Sequence, residues 1–221
     1  MAGLNMAPNT ALTSLQIMQD APVIPVIVLN DVAHAVPMAQ ALVAGGIRVL
    51  EVTLRTPQAL ACMEAIAKAV PDAIVGAGTV RNAADVQAAV QAGARFAVSP
   101  GYTSALGQAC CDARLPLLPG VATASEIMAA QADGWNELKF FPAMQAGGLD
   151  MLKAWNGPFG DVRFCPTGGI SPSNAAQFLT LPNVVCVGGS WLVPADALAQ
   201  GDWARITALA QAAVALRAQK A

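Results

Sequence analysis

The feature that most constrains this chain is an alternation repeated along nearly its whole length: short runs rich in β-branched residues give way to Ala-rich runs of helix-forming composition. A strand, a helix and another strand in succession make a parallel pair, because the helix carries the chain back across the sheet. Eight such strands are expected, near residues 23–29, 49–54, 74–79, 96–100, 115–120, 137–141, 163–168 and 184–190. Eight is the number that closes a parallel sheet into a barrel filled by its own side chains. Helical segments are expected at 33–44, 58–70, 83–92, 125–132 and 172–179. Asp31, Asn82, Thr123 and Ser171 are the expected N-caps, Pro172 takes the first helical position after Ser171, and Gly45, Gly93 and Gly134 are the expected stops.

The fold class read from this pattern is α/β, a single-domain (β/α)8 TIM barrel over 1–221. An extra N-terminal helix near 10–19 covers its bottom, a last helix over 203–218 closes the ring, and residues 1–9 form a flexible extension. Strand starts fall about 19 to 26 residues apart, short for a fold that typically takes about 250 residues, so the barrel is compact. An open doubly wound sheet shares the alternation, but no GxGxxG opens the first helix. No linker, low-complexity tract or charge block marks a second domain.

Composition removes several functions. The chain is 55% hydrophobic with mean hydropathy +0.50, yet its apolar runs are short and broken, as by Pro22 and Pro25, and none reaches the length of a membrane span. The first twenty residues carry neither a basic region nor a continuous apolar one, so the expected location is cytoplasmic. A net charge of −2 and scattered Lys and Arg leave nothing to neutralise a nucleic acid. Five cysteines without CxxC spacing read as reduced core residues. With His34 the only histidine, a histidine-built zinc site within one chain is excluded.

Chemistry-bearing residues gather at the expected strand ends. In GGIRVLEVTLRTP, strand alternation puts Glu51, Thr53 and Arg55 on the face turned inward, with Arg55 at the upper rim, where charge is costly unless paired or used. In GWNELKFFPAMQAGG it puts Lys139 with Glu137 and Phe141. Lys139 is the one lysine of four in an expected strand. Desolvation and a neighbouring cation such as Arg55 favour the neutral amine, which attacks carbonyls. The alternative is a lysine paired with Glu51 or Glu137 to hold the core. Glycine-rich turns follow the seventh and eighth strands, CPTGGISPSN and VGGSWL, where barrels commonly bind phosphate on bare backbone N–H groups; Gly168, Gly169, Gly189 and Ser190 are the candidates. Thr79, ending VGAGT, reaches the rim beside Arg55 and can join it in holding a carboxylate. Pro100 shapes the pocket wall.

These motifs resemble those of the 2-keto-3-deoxy-6-phosphogluconate (KDPG) aldolases, a family also active as 4-hydroxy-2-oxoglutarate (KHG) aldolases. The resemblance runs from about Thr10 to Arg217. GIRVLEVTLR matches the segment that carries the family's active-site glutamate, here Glu51, and GWNELKFFPA the one with its Schiff-base lysine, here Lys139; GAGTV, SPG, FCPTGGISP and GGSWLVPAD are similar too. The resemblance implies that Arg55 and Thr79 hold a pyruvate carboxylate and that Phe141 and Pro100 wall the pocket. It implies likewise that Thr167 contacts substrate hydroxyls and that Gly168, Gly169 and Ser190 bind phosphate. It further implies a class I aldolase that cleaves a phosphorylated keto acid to pyruvate and glyceraldehyde 3-phosphate, as a homotrimer, with no metal and no cofactor. Two alternatives are the galactonate-epimer aldolase and a non-catalytic phosphosugar-binding barrel. Neither nucleic acid nor membrane is an expected partner.

Overall fold

The computed structural model describes residues 12–216. The extension expected over 1–9 lies outside them, as do the first residues of the helix expected at 10–19 and the end of the one expected over 203–218. The chain enters through α1 (Ser14–Asp20), which opens on a capping box: the Thr13 side chain accepts from Gln16 N and the Gln16 side chain from Thr13 N. Strands β1 (Val23–Ile27), β2 (Val49–Thr53), β3 (Ile74–Gly78), β4 (Ala97–Val98), β5 (Leu117–Leu118), β6 (Gly120–Val121), β7 (Glu137–Phe140), β8 (Arg163–Pro166) and β9 (Val187–Gly189) follow. Between them come α2 (Ala35–Ala44), α3 (Ala59–Ala69), α4 (Ala83–Gln91), α5 (Ser104–Asp112), α6 (Ala124–Ala132), α7 (Gly148–Trp155) and α8 (Ala175–Leu179); α9 (Ala195–Gln200) and α10 (Trp203–Ala215) are the last elements among the described residues.

The expected caps hold with one exception. Asn82 and Thr123 accept from the third residue of α4 and α6, and Asp31 caps the 3-10 turn Val32–His34 that precedes α2. Ser171 begins no helix: its N–H donates to Asn174 Oδ1, forming a turn, and α8 starts only at Ala175. Gly93 and Gly134 take the left-handed conformation that stops a helix, whereas after α2 that role falls to Gly46 at φ +90°, not Gly45.

The architecture is α/β with parallel strands in two groups, a curled six-stranded sheet in the order β5-β4-β3-β2-β1-β9 and a three-stranded one, β6-β7-β8. The expected eight continuous strands are thus modified at two places. Pro119 has no N–H to give to a ladder and splits the fifth strand into β5 and β6. Between β8 and β9 only the isolated bridges Phe164–Val184 and Thr167–Gly188 form.

Alternation along the strands sorts their side chains into two cores. Outward residues such as Leu50, Val52, Val75, Ala77, Leu138, Phe140 and Phe164 pack under the helices. Inward residues make a second cluster of Ile24, Val49, Ile74, Phe96, Val98, Leu118, Cys165 and Cys186, closed from below by Ile17 and Met18 of α1. Ser14 Oγ donates to Leu117 O at 2.9 Å and anchors α1 there. Fully burying each such side chain contributes about 1.5–3 kcal/mol. The polar inward residues begin one layer higher.

Candidate active site

Glu51 and Lys139 occupy that layer, from β2 and β7. Lys139 Nζ donates to Glu51 Oε1 at 3.2 Å, and the two side chains are 5% and 3% exposed. The partner of the buried amine is therefore Glu51, not Glu137. A buried pair of this kind loses hydration on both groups and is a weak source of stability, so its presence asks for a chemical reason. Lys139 Nζ also stands 5.2 Å from the centroid of Phe141, within the range of a cation–π contact. Room for the carboxylate comes from Gly78: a β-carbon there would lie 2.4 Å from Glu51 Oε1. On the sheet, Lys139 is flanked by Gly120 and Cys165.

Above the pair a cavity of ≈ 140 Å³ opens at the C-terminal ends of the strands. It is lined by Arg55, Phe141, Thr167, Gly168, Gly169, Gly189 and Ser190, together with Val26, Ile170 and Gly188. Val26 pairs with Glu51 in the β1–β2 register, and Thr167 lies two residues beyond Cys165, the neighbour of Lys139, which sets the pair at the cavity's base. Gly168 and Gly169, at φ +101° and +75°, make a turn that few other residues can adopt. Ala143 N and Met144 N donate to Thr167 O and Gly168 O, tying this turn to the end of β7.

β2 ends at Thr53, a tight turn from Arg55 N to Thr53 O follows, and Arg55 lines the cavity from its exposed rim. There its Nε donates to Thr79 Oγ1 at 3.2 Å. Thr79 holds φ +63°, a costly conformation for a β-branched residue. Pro100 borders not this cavity but an adjoining hollow with Arg81 and Tyr102; its carbonyl packs against Gly120, where a β-carbon would lie 2.5 Å from Pro100 O. Tyr102 OH donates to Asp133 at 2.6 Å, and burial, then this carboxylate, push the phenol up to about 12. The residues missed from the sequence, Val26, Gly78, Gly120, Ile170 and Gly188, are small or apolar. Strand parity turns Val26 inward and could have found it; the three glycines show their role only through what packs against them, and Ile170 lies in the loop after β8. Among the described residues no group of three His, Cys, Asp or Glu could hold a metal ion, and no helix is long and apolar enough to cross a membrane.

A curled parallel sheet with an amine and a carboxylate buried side by side beneath a glycine-lined mouth places the chain among the α/β lyases. It belongs to the KDPG and KHG aldolase family, whose model matches residues 15–209. The chain is 56% identical over 207 residues to a 2-dehydro-3-deoxy-phosphogluconate aldolase of Dickeya dadantii, covering 94% of this chain and 97% of the relative. It is 55% identical over 206 residues to the KHG/KDPG aldolase of Escherichia coli, covering 93% and 97%. Among solved structures, a KDPG aldolase from Legionella pneumophila, with pyruvate captured as a covalent carbinolamine intermediate, superposes with a TM-score of 0.90 at 49% identity, covering 92% of this chain and 98% of that one.

Proposed function

We propose that this chain is a class I aldolase that cleaves 2-dehydro-3-deoxy-6-phosphogluconate to pyruvate and D-glyceraldehyde 3-phosphate through a Schiff base on Lys139. The observation that carries the reading is the buried Lys139–Glu51 contact of 3.2 Å under a mouth lined by Arg55 and by two glycine turns.

The chemistry follows from these positions. The Lys139 amine adds to the C2 carbonyl carbon, and the carbinolamine loses water to give an iminium ion. Glu51, in contact with the same nitrogen, carries the protons that addition and dehydration move. The iminium then accepts the electron pair of the C3–C4 bond as that bond breaks, while Glu51 takes the C4 hydroxyl proton and C4 becomes the aldehyde carbon. The resulting enamine regains a proton at C3, and water hydrolyses the imine to release pyruvate and free the amine. Arg55 and Thr79 hold the pyruvate carboxylate, and Phe141 walls the pocket. Thr167 contacts the substrate hydroxyls. Gly168, Gly169, Gly189 and Ser190 grip the phosphate on backbone N–H groups and a hydroxyl.

The two groups of strands act as one closed eight-stranded barrel, a single domain, with α1 as its floor. This is supported by the bridges between β8 and β9, by Pro119 alone separating β5 from β6, and by α10 packing on α2 with Thr207 Oγ1 donating to Ala41 O at 3.0 Å. The working form is a cytoplasmic homotrimer. The name of the Escherichia coli relative favours 4-hydroxy-2-oxoglutarate as a second substrate.

Sodium borohydride added in the presence of pyruvate should fix the adduct on the Lys139 peptide. Label on another residue would refute the role of Lys139, and no label at all would refute the mechanism and leave a phosphosugar-binding barrel. Rates on the gluconate and galactonate epimers and on 4-hydroxy-2-oxoglutarate then rank the substrates.

A further inference from the structure

Alternation along β9 turns Gly188 inward and Gly189 outward. A β-carbon on Gly188 would lie 2.1 Å from Thr167 Oγ1, and one on Gly189 would lie 1.7 Å from a six-membered-ring carbon of Trp191. The half-buried indole is therefore pressed against the outer side of the same backbone whose inner side lines the mouth. Beyond it opens a hollow of ≈ 620 Å³, larger than the mouth, bounded by Val28, Asn30, His34, Trp191, Val193 and Leu198. The two spaces share Val26 and Ser190. The ladder to β1 holds one edge of this segment, through Ile24–Gly188 and Pro25–Gly189, and against the outer side of Gly189 stands the indole.

We propose that Trp191 is a positioning residue: its indole holds the Gly189–Ser190 segment at the distance at which that segment grips the substrate phosphate, and so sets the preference for phosphorylated over unphosphorylated keto acids. This rests on the phosphate reading of the β9 turn given above. Hydrogen bonds from N–H groups to an anion weaken steeply with displacement. Removing the ring lets the backbone relax outward into the hollow, away from the phosphate. Lys139 and Glu51, on β7 and β2, are untouched by such a shift.

The test uses the full chain with Trp191→Ala, Trp191→Phe and Gly189→Ala. Kinetic constants are measured on 2-dehydro-3-deoxy-6-phosphogluconate and on 4-hydroxy-2-oxoglutarate, with glycerol 3-phosphate as a non-reacting competitor. Trp191→Ala is expected to raise the KM of the phosphorylated substrate and the Ki of glycerol 3-phosphate together, by about tenfold or more. Its kcat and its KM for the unphosphorylated acid should stay within about twofold of the parent. Trp191→Phe keeps a ring near Gly189 and should fall closer to the parent. Gly189→Ala, which drives a methyl group into the indole, should reproduce the KM defect in the parent and add little to it in the Trp191→Ala background. Equal losses on both substrates, or additive defects in the double variant, overturn the proposal. A parent that glycerol 3-phosphate does not inhibit overturns the phosphate grip along with it; an inhibited parent whose constants Trp191→Ala leaves unchanged overturns the role of Trp191 alone.

Discussion

Replacing Lys139 by methionine keeps a long unbranched side chain in the barrel but strands the Glu51 carboxylate beneath it. At the observed 3.2 Å, two unit charges attract by about 5 kcal/mol at an effective dielectric of about 20. The intact pair is worth less than that, because both groups gave up their hydration to reach side-chain exposures of 5% and 3%. The single variant keeps the dehydration of Glu51 and loses the attraction, a combination that costs about 3–5 kcal/mol. In a chain of this size each kcal/mol moves Tm by about 2–4 °C, so Lys139→Met is expected to melt roughly 6–20 °C below the parent. Adding Glu51→Gln removes the stranded charge and should restore most of that loss, although the double variant has no nucleophile. Thermal unfolding of parent, both single variants and the double variant, followed by circular dichroism in one buffer, reads the cycle directly. A Lys139→Met protein that melts within about 2 °C of the parent, or a double variant less stable than Lys139→Met, would refute the claim that the two groups form one desolvated unit.

Thr79→Gly relieves a left-handed threonine at φ +63°, worth about 1–2 kcal/mol, against an entropic cost of about 0.5–1 kcal/mol for the glycine. Its urea midpoint should match or exceed the parent's while the KM for keto acid rises, since the hydroxyl that accepts from Arg55 Nε is gone; a clearly lower midpoint would contradict the strain. Gly78→Ala puts a methyl group 2.4 Å from Glu51 Oε1, and because the carboxylate is the part able to move, kcat should fall about 10- to 100-fold with the fold retained. A variant of unchanged kcat would show that the position of Glu51 is not demanding. The phenol of Tyr102 is raised from 10 to about 12 by burial and by Asp133, so the folded state keeps its proton where the unfolded state has lost it. This contribution is complete below about pH 10 and disappears as pH rises towards 12. Cys110, also raised to about 12 by burial, adds a similar fall in both proteins, so denaturation profiles of the parent and Tyr102→Phe isolate the tyrosine: the variant's decline should be shallower, and parallel profiles would remove Tyr102 from the account.

Periodicity made the sheet legible because parity is a property of each strand alone: Glu51 and Lys139 were assigned inward from alternation, and both are buried, in contact with each other. It failed where a residue's position depends on where a strand stops. Arg55 shares the parity of Glu51, but the strand ends at Thr53 and the turn that follows sets Arg55 on the exposed rim of the mouth rather than within the barrel layer. Pro119 interrupts a run whose composition reads as one strand, because composition does not register a missing N–H. Ser171 looked like a cap because Pro172 follows it, yet the Asn174 side chain takes the Ser171 N–H and delays the helix. The glycines at 78, 120 and 188 were silent in the sequence for another reason. What they do is leave space, and space is defined only once Glu51, Pro100 and Thr167 are placed opposite them.

Height along the barrel connects fold to chemistry. At the bottom, Ile24, Val49, Ile74, Phe96 and Leu118 with Ile17 and Met18 of α1 form a hydrocarbon plug that needs nothing from the solvent. Going up two residues along each strand replaces Val49 by Glu51, Ile74 by Gly76 and Leu118 by Gly120, and the register sets Lys139 beside Gly120. The interior therefore changes within a single layer from close-packed apolar side chains to two long polar ones flanked by bare backbone. A carboxylate and an amine could not enter a layer of uniformly large neighbours without opening it to water. The glycines let them bend toward each other to 3.2 Å while the plug below keeps them dry. Dryness strengthens the attraction between the two groups and the pull of an iminium on a breaking carbon–carbon bond alike. The plug thus acts on reactivity as well as on stability, by setting the medium in which Lys139 and Glu51 meet.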